Sequence, residues 1–144
     1  MEKKVIKILE KYPDLNPSGM GLFYVGHLSK SDQMDKLYDG RKAIIRRSEI
    51  VKSIVLWLDQ FIVPTKTINK KRTSYNMKHI VEYYIGYISN GEFIVAALLA
   101  GFKPQFLNSD PNVQFAMSEK SWKLAEDLLR KPTNNATLKD QRHS

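Results

Sequence analysis

His79 and Glu82 are the side chains whose types and spacing come closest to a chemical site. Residues three apart share one face of a helix, so the carboxylate could orient the imidazole, or both could contribute to a metal site. A metal site needs three or four ligands, and the sequence offers no second ligand pair. His27 lies in a predicted loop without a carboxylate or hydroxyl at motif spacing, and His143 lies in the C-terminal tail. We therefore interpret His79 and Glu82 as structural.

The sequence lacks the other patterns that carry catalysis. It contains no phosphate-cradling glycine loop, no Gly-x-Ser-x-Gly elbow and no His-Glu-x-x-His helix. Its one pair of adjacent carboxylates, Glu126 and Asp127, fits an exposed helix face. The absence of cysteine removes disulfides, thiolate metal sites and a cysteine nucleophile. These observations predict a protein that is not an enzyme and that binds no cofactor.

Positive charge is the strongest functional signal. The 144 residues include 23 basic and 15 acidic side chains, and the net charge of +8 favours an anionic partner, either nucleic acid or an acidic protein surface. Residues 66–82 hold half of this excess, and a second basic group crowds the start of a predicted long helix. A solvated helix face is the alternative interpretation of that second group. The residues that we predict to contact phosphate are Arg41, Lys42, Arg46, Arg47, Lys70, Lys71, Arg72 and Lys78.

Hydroxyl, amide and aromatic side chains accompany the basic residues of this segment. Thr73, Ser74 and Asn76 are types that contact phosphate, and a helix beginning at Ser74 would add backbone N–H donors. Three tyrosines follow along the chain, namely Tyr83, Tyr84 and Tyr87. Tyrosine rings can stack on bases. Tyrosines at helical spacing more often pack half-buried, and we favour that interpretation here.

The element with the clearest sequence signals is a short helix between Ser89 and Gly101. Ser89 followed by Glu92 is a capping box, in which each side chain satisfies a free backbone N–H. Gly101 fits the left-handed residue that ends many helices. The eight residues from Phe93 to Ala100 are all apolar, which predicts a helix buried on every side.

The remaining helices follow from apolar periodicity and from prolines. The longest pattern spans residues 43–62, begins after Gly40 and ends at Pro64. Further helices are predicted at residues 5–12, 29–40, 74–85 and 118–131. The helix at 74–85 should be capped by Thr73 or Ser74 and packed beside the Ser89–Gly101 helix. The last helix should turn four side chains inward, namely Trp122, Ala125, Leu128 and Leu129.

These elements predict an all-α fold. We expect a single compact domain of five or six helices over residues 1–132, followed by a disordered tail at residues 133–144. The residues from Leu22 to Val25 could form a strand or a buried extended piece. One strand without a partner is marginal, so no sheet is predicted.

A helix-turn-helix is a more specific hypothesis for how the chain would bind nucleic acid. Ala97 and Gly101 have the spacing which that motif uses, and its second helix would then run from Pro104 to about Ser109. The following Asp110-Pro111 would cut that helix after little more than one turn. A helical hairpin in the core explains the same residues, and we favour it.

Three segments carry a resemblance to other proteins. They are Ser74 to His79 (SYNMKH), Tyr87 to Ala97 (YISNGEFIVAA) with Gly101-Phe102, and Pro111 to Ser118 (PNVQFAMS). Over residues 72–122 the chain resembles a group of small uncharacterised bacterial proteins carried on phages, plasmids and other mobile elements. The resemblance implies a context, which is an accessory protein of a mobile element. Such proteins often bind DNA or block a host protein.

Two functions are consistent with these observations. The leading hypothesis is a non-enzymatic accessory protein that binds nucleic acid through a basic face. The alternative is a protein-interaction module or an inhibitor of a host nucleic-acid enzyme, which an exposed apolar patch beside the basic face would favour. The charged N-terminus is unlike a signal peptide, and no apolar run has the length of a membrane span. We therefore expect a cytoplasmic protein without a membrane partner.

Overall fold

The computed structural model describes residues 1–21 and 29–130. The predicted extended piece from Leu22 to Val25, His27 and the tail with His143 lie outside the described residues. The described part of the chain forms six helices and one two-stranded sheet. In chain order the elements are α1 (Glu2–Lys11), α2 (Lys30–Arg46), α3 (Ser48–Phe61), α4 (Ser74–Ile85), α5 (Asn90–Leu99), β1 (Pro104–Phe106), β2 (Val113–Phe115) and α6 (Glu119–Leu129).

Helix α5 lies at the centre of the molecule, as its apolar sequence predicts. The Ser89 hydroxyl accepts a hydrogen bond from the Glu92 N–H at 3.1 Å, and Glu92 Oε1 accepts one from the Ser89 N–H at 2.8 Å. The capping box is thus confirmed, and Gly101 has the expected left-handed conformation with φ 89°. Residues from Phe93 to Ala97 are fully buried, and α5 packs against α1, α3 and α4. The predicted contact between α4 and α5 is confirmed.

The prediction of one helix over residues 43–62 is wrong. Helix α2 runs through Gly40, where an added Cβ would lie 2.7 Å from Pro17 Cδ, so the glycine permits close packing and does not end the helix. The chain turns at Arg47 (φ −103°, ψ 29°). The Arg47 side chain is bonded there to Glu92 Oε2 at 2.7 Å and to the Tyr87 carbonyl at 2.8 Å. Contacts with residues remote in sequence therefore accompany the turn at which α2 ends and α3 begins.

The chain after Gly101 forms a β-hairpin, so residues 104–109 are not the second helix that the disfavoured helix-turn-helix would require. Strands β1 and β2 are antiparallel, with Pro104 paired to Phe115 and Phe106 paired to Val113. Alternate residues of a strand face the same side, and Val113 and Phe115 are both fully buried. The burial of these two side chains fits a strand. The fold is mostly helical with a small sheet, and the all-α prediction is correct only in this coarser form.

An aromatic cluster joins α6 to the rest of the core. The rings of Trp57 and Trp122 have centroids 5.7 Å apart, and the Tyr84 hydroxyl donates to the Ala125 carbonyl at 2.6 Å. Trp122 and Ala125 are buried, as predicted, whereas Leu128 is 43% exposed, so its predicted inward orientation is wrong. None of the described helices has the length and apolarity needed to cross a membrane.

Candidate nucleic-acid interface

The eight basic residues predicted to contact phosphate divide into two groups. Four of them hold the fold together and are here named the committed cations: Arg41, Arg47, Arg72 and Lys78. The other four are exposed and form no ion pair with any residue that the structure describes; they are named the free cations: Lys42, Arg46, Lys70 and Lys71. The fold uses the donors of Arg41, Arg72 and Lys78, as the following contacts show, and their phosphate contacts stay a prediction.

Arg72 is buried between α4 and α6. Its guanidinium donates to both carboxylate oxygens of Glu119 at 2.8 Å, and also to Glu126 and to Asn76 Oδ1. The hydrogen bonds from Arg72, partly opposed by burial, lower the pKa of Glu119 to about 2. Only 8% of the Arg72 side chain is exposed, so its donors are used within the fold.

Arg41 and Arg47 connect separate segments of the chain. The Arg41 guanidinium donates to the carbonyls of Tyr12 at 3.0 Å, Pro13 at 2.9 Å and Leu15 at 2.8 Å, and also to the Leu9 carbonyl. These carbonyls lie at and beyond the C-terminal end of α1, where a helix leaves its acceptors free. Arg47 pairs with the buried Glu92, but its side chain remains 42% exposed.

Lys78 lies beneath the surface of α4. Its ammonium donates to Glu82 Oε1 at 2.7 Å and to the Ile88 carbonyl at 3.3 Å, and only 8% of the side chain is exposed. The same ammonium lies 5.3 Å from the ring centroids of both Tyr75 and Tyr87. Lys78 therefore positions two aromatic rings and is not a surface contact.

The pair of His79 and Glu82 is present, and it belongs to the same network. His79 Nδ1 lies 3.0 Å from Glu82 Oε2, while Glu82 Oε1 accepts the hydrogen bond from Lys78. Burial raises the pKa of Glu82, but the hydrogen bond and charge of Lys78 outweigh this effect, and the pKa lies below its ordinary value. Among the described residues, no group of three histidine or acidic side chains is arranged to hold a metal ion.

Three tyrosines project from α4 and from the turn that follows it. Tyr75 is 51% exposed, Tyr83 is 79% exposed and Tyr87 is 70% exposed. With His79 they make up what we call the α4 aromatic face. The favoured prediction of half-buried packing holds for Tyr84, which contacts Trp57, and is wrong for Tyr83 and Tyr87.

The sequence contained a signal for this face. Tyr75, His79 and Tyr83 follow one another at intervals of four residues, so they line one side of a helix. The apolar residues Met77, Ile80 and Val81 define the opposite, buried side. Reading α4 as an amphipathic helix would therefore have separated the exposed tyrosines from Tyr84.

Basic residues flank the α4 aromatic face at both ends. Lys70 and Lys71 precede α4 in a connector that is fixed to β2, because the Asn69 N–H donates to the Phe115 carbonyl at 2.9 Å. At the other end the Arg47 guanidinium carbon lies 5.9 Å from the Tyr87 ring, and the exposed Arg46 is its neighbour. Lys42 lies one helical turn earlier in α2, 4.2 Å from the ring of the exposed Tyr38.

The start of α4 differs in part from the prediction. Thr73, one of the two predicted caps, accepts the hydrogen bond from the Asn76 N–H at 3.3 Å. Ser74 is fully buried, and its hydroxyl accepts a hydrogen bond from the Val113 N–H at 3.0 Å. Ser74 therefore attaches α4 to β2 and does not contact phosphate.

A second exposed feature is apolar. Phe61, Val63, Leu124 and Leu128 are between 38% and 61% exposed, and we call them the α3–α6 apolar patch. The end of α3 is joined to α6 by two hydrogen bonds, from the Val63 N–H to Ser121 Oγ at 3.1 Å and from the Ser118 N–H to the Val63 carbonyl at 2.9 Å. The patch thus begins just before the basic connector.

No protein-family model, curated protein or solved structure matches this chain. Inferences about its partner therefore depend on the two exposed features described above. The predicted likeness to mobile-element proteins over residues 72–122 stays a prediction.

Proposed function

We propose that the protein is a non-enzymatic accessory protein that binds nucleic acid through the α4 aromatic face and the free cations at its ends. The observation that carries the proposal is the combination of three exposed tyrosines with flanking cations that form no ion pair within the described chain. Lysine and arginine contact phosphates, and tyrosine rings stack on bases. The resemblance over residues 72–122 supports a mobile element as the context, and the absence of cysteine fits the cytoplasm.

The free cations suit this function because they can approach a phosphate without breaking an ion pair. Lys70 and Lys71 extend from a connector whose backbone is already fixed by hydrogen bonds. Moving Arg72 to a phosphate would instead break its buried ion pairs with the half-buried Glu119 and Glu126, which is costly. The proposed phosphate contacts are therefore Lys70, Lys71, Arg46 and Lys42.

A salt titration of binding, measured by fluorescence anisotropy with labelled nucleic acid, tests this proposal. Affinity should fall steeply with salt, with a log-log slope of about −0.7 to −0.9 for each phosphate neutralised. Reversing Lys70 and Lys71 to glutamate should weaken binding at least about tenfold, because two attractive contacts become repulsive.

The matched control reverses the same charge elsewhere. Lys3 and Lys4 are exposed on α1, so K3E/K4E changes the net charge as much as K70E/K71E does. We expect the control to change affinity less than about twofold, since α1 packs against α2, α3 and α5 and is not a main neighbour of α4. Equal losses in the two double variants would mean that only net charge matters, and the proposed site would be wrong.

The second candidate function is a protein-interaction module, including an inhibitor of a host nucleic-acid enzyme. The α3–α6 apolar patch favours it, because soluble proteins rarely expose several large apolar side chains together without a partner. A protein partner should be lost from L124E and retained by Y83A. The opposite result would assign the partner to the α4 aromatic face.

A further inference from the structure

We infer that the nucleic acid held on the α4 aromatic face is single-stranded, with unpaired bases stacked on Tyr75, Tyr83 and Tyr87. This inference rests on the proposed function and names its substrate class. The argument depends on ring exposure, on how the rings are held and on their spacing.

Ring exposure distinguishes single strands from duplexes. The faces of paired bases are covered by their neighbours in a duplex, so an exposed tyrosine can stack only on a base that is unpaired or at an end. Readers of duplex DNA instead present arginine, lysine, asparagine or glutamine to the base edges. On the exposed side of α4 the one such side chain is Asn76, and its Oδ1 already accepts a hydrogen bond from Arg72 at 3.2 Å.

The rings of Tyr75 and Tyr87 are held in place from beneath. The Lys78 ammonium lies 5.3 Å from both centroids, and Glu82 fixes that ammonium. The His79 ring packs edge-on against Tyr75 with centroids 4.4 Å apart. The guanidinium carbon of Arg47, which is fixed by Glu92, lies 5.9 Å from the Tyr87 ring centroid.

This arrangement gives two of the committed cations a function at the site. Lys78 and Arg47 are positioning residues, because they hold rings and their donors are directed to carboxylates and carbonyls. A ring that is ordered before binding loses less conformational freedom when a base stacks on it. The buried ion pairs therefore favour stacking without contacting the strand.

Ring spacing sets the length of the bound strand. Tyr75 and Tyr83 are eight residues apart on α4, which corresponds to about 12 Å along the helix axis. Stacked bases are about 3.4 Å apart, so these two rings span about four nucleotides. Oligonucleotides shorter than about four nucleotides should therefore bind much more weakly, since they cannot reach both rings.

The test compares an oligothymidine of about 12 nucleotides with a duplex of the same length, a size within the range of known single-strand sites. Fluorescence anisotropy would be measured with the full chain at low salt. The wild type should prefer the single strand. Y83A and Y87A should each lose about tenfold in single-strand affinity, in line with the value of one stacked base. Y83F and Y87F keep the ring face and should bind like the wild type.

Tyr38 supplies the matched control. It is 60% exposed and pairs with a lysine, but it lies on α2 and not on the α4 aromatic face. Y38A removes the ring that Lys42 contacts, so it should lower single-strand affinity by less than about twofold, well below the loss in Y83A or Y87A. Circular dichroism should show all variants folded, because the replaced rings are exposed.

The outcomes separate this inference from the function on which it rests. Equal affinity for duplex and single strand, insensitive to Y83A and Y87A but lost in K70E/K71E, would overturn stacking and keep nucleic-acid binding. Losses in Y83F and Y87F as large as in the alanine variants would also overturn stacking, because the hydroxyl and not the ring would then be recognised. No binding of any probe at low salt would overturn both proposals.

Discussion

Arg72 and Lys71 are adjacent in the sequence and have opposite roles in the structure. Arg72 is 7% exposed and bonded to two carboxylates of α6, whereas Lys71 is exposed and forms no ion pair with a described residue. The same contrast separates Lys78 from Lys70. A basic segment in a sequence is thus not one surface, because carboxylates bind some of its members and leave others available. For Arg72 they come from α6, and for Lys78 from the next turn of α4.

The largest expected effect on stability comes from removing a committed cation, Arg72. R72A should destabilise the protein by about 3 kcal/mol, because the half-buried carboxylates of Glu119 and Glu126 lose the buried guanidinium that they share. Urea unfolding followed by circular dichroism measures the loss. K71A, one residue away, should change stability by less than about 0.5 kcal/mol. Equal effects of the two variants would contradict the contrast.

The next largest effect is expected at Lys78, a committed cation that also lies beside two rings of the α4 aromatic face. K78M keeps the length of the side chain and removes the ammonium that Glu82, the Ile88 carbonyl and two rings surround. We expect a loss of about 1–3 kcal/mol in stability, because the half-buried Glu82 carboxylate loses its ammonium partner and keeps only weaker contacts with His79 and the Ile88 N–H. Single-strand affinity should also fall severalfold.

K70M is the matched control for Lys78. It removes one exposed charge without disturbing a buried pair, so stability should be unchanged. Its effect on binding should appear as a smaller salt slope, because one phosphate contact is lost. If K78M reduced the salt slope instead, Lys78 would be a phosphate contact and the positioning role would be wrong.

Acid unfolding should reveal the Arg72 network separately. Arg72 holds the pKa of Glu119 at about 2 in the folded protein, below its ordinary value of 4.5. A depressed folded-state pKa contributes stability that is fully present above the unfolded value and is lost as the pH falls through the folded value. The wild type should therefore lose stability as pH decreases from about 4.5 towards about 2.

The R72A variant tests whether Glu119 causes this loss of stability at low pH. Without Arg72, the pKa of Glu119 should lie much closer to its ordinary value, lowered only by Asn69 and Lys71, and its contribution to the pH dependence should shrink. Urea midpoints for both proteins, measured at about pH 6 and about pH 3, give the comparison. The same decrease in the two proteins would show that other carboxylates cause it.

Local sequence signals predicted the parts of the fold that depend on local contacts. The capping box at Ser89 and Glu92 and the left-handed Gly101 involve residues that are close in sequence, and both are confirmed. The break at Arg47 could not be predicted in this way, because Glu92 lies 45 residues further along the chain. The β-hairpin likewise depends on burial of Val113 and Phe115 in a core formed by other elements.

The candidate site was predictable to about the same extent. Charge identified the connector with Lys70 and Lys71 correctly as an exposed basic segment. It could not show that Glu119, 47 residues away, binds Arg72. Helical periodicity could have identified the exposed tyrosines, because it places Tyr83 and Tyr84 on different sides of α4. The number of tyrosines close together in the sequence suggested packing instead.

The smallest expected effect is on the exposed side of the comparison, at Tyr83. Because Tyr83 is 79% exposed, Y83A should change the free energy of unfolding by less than about 0.5 kcal/mol. Its neighbour gives the contrast: Y84F removes the hydroxyl that donates to the Ala125 carbonyl and should cost about 1 kcal/mol. Thermal and urea unfolding of both variants measure the difference. A destabilisation in Y83A as large as in Y84F would mean that the Tyr83 ring packs within the fold. In that case its exposure would not indicate a ligand, and the α4 aromatic face would lose its most exposed ring.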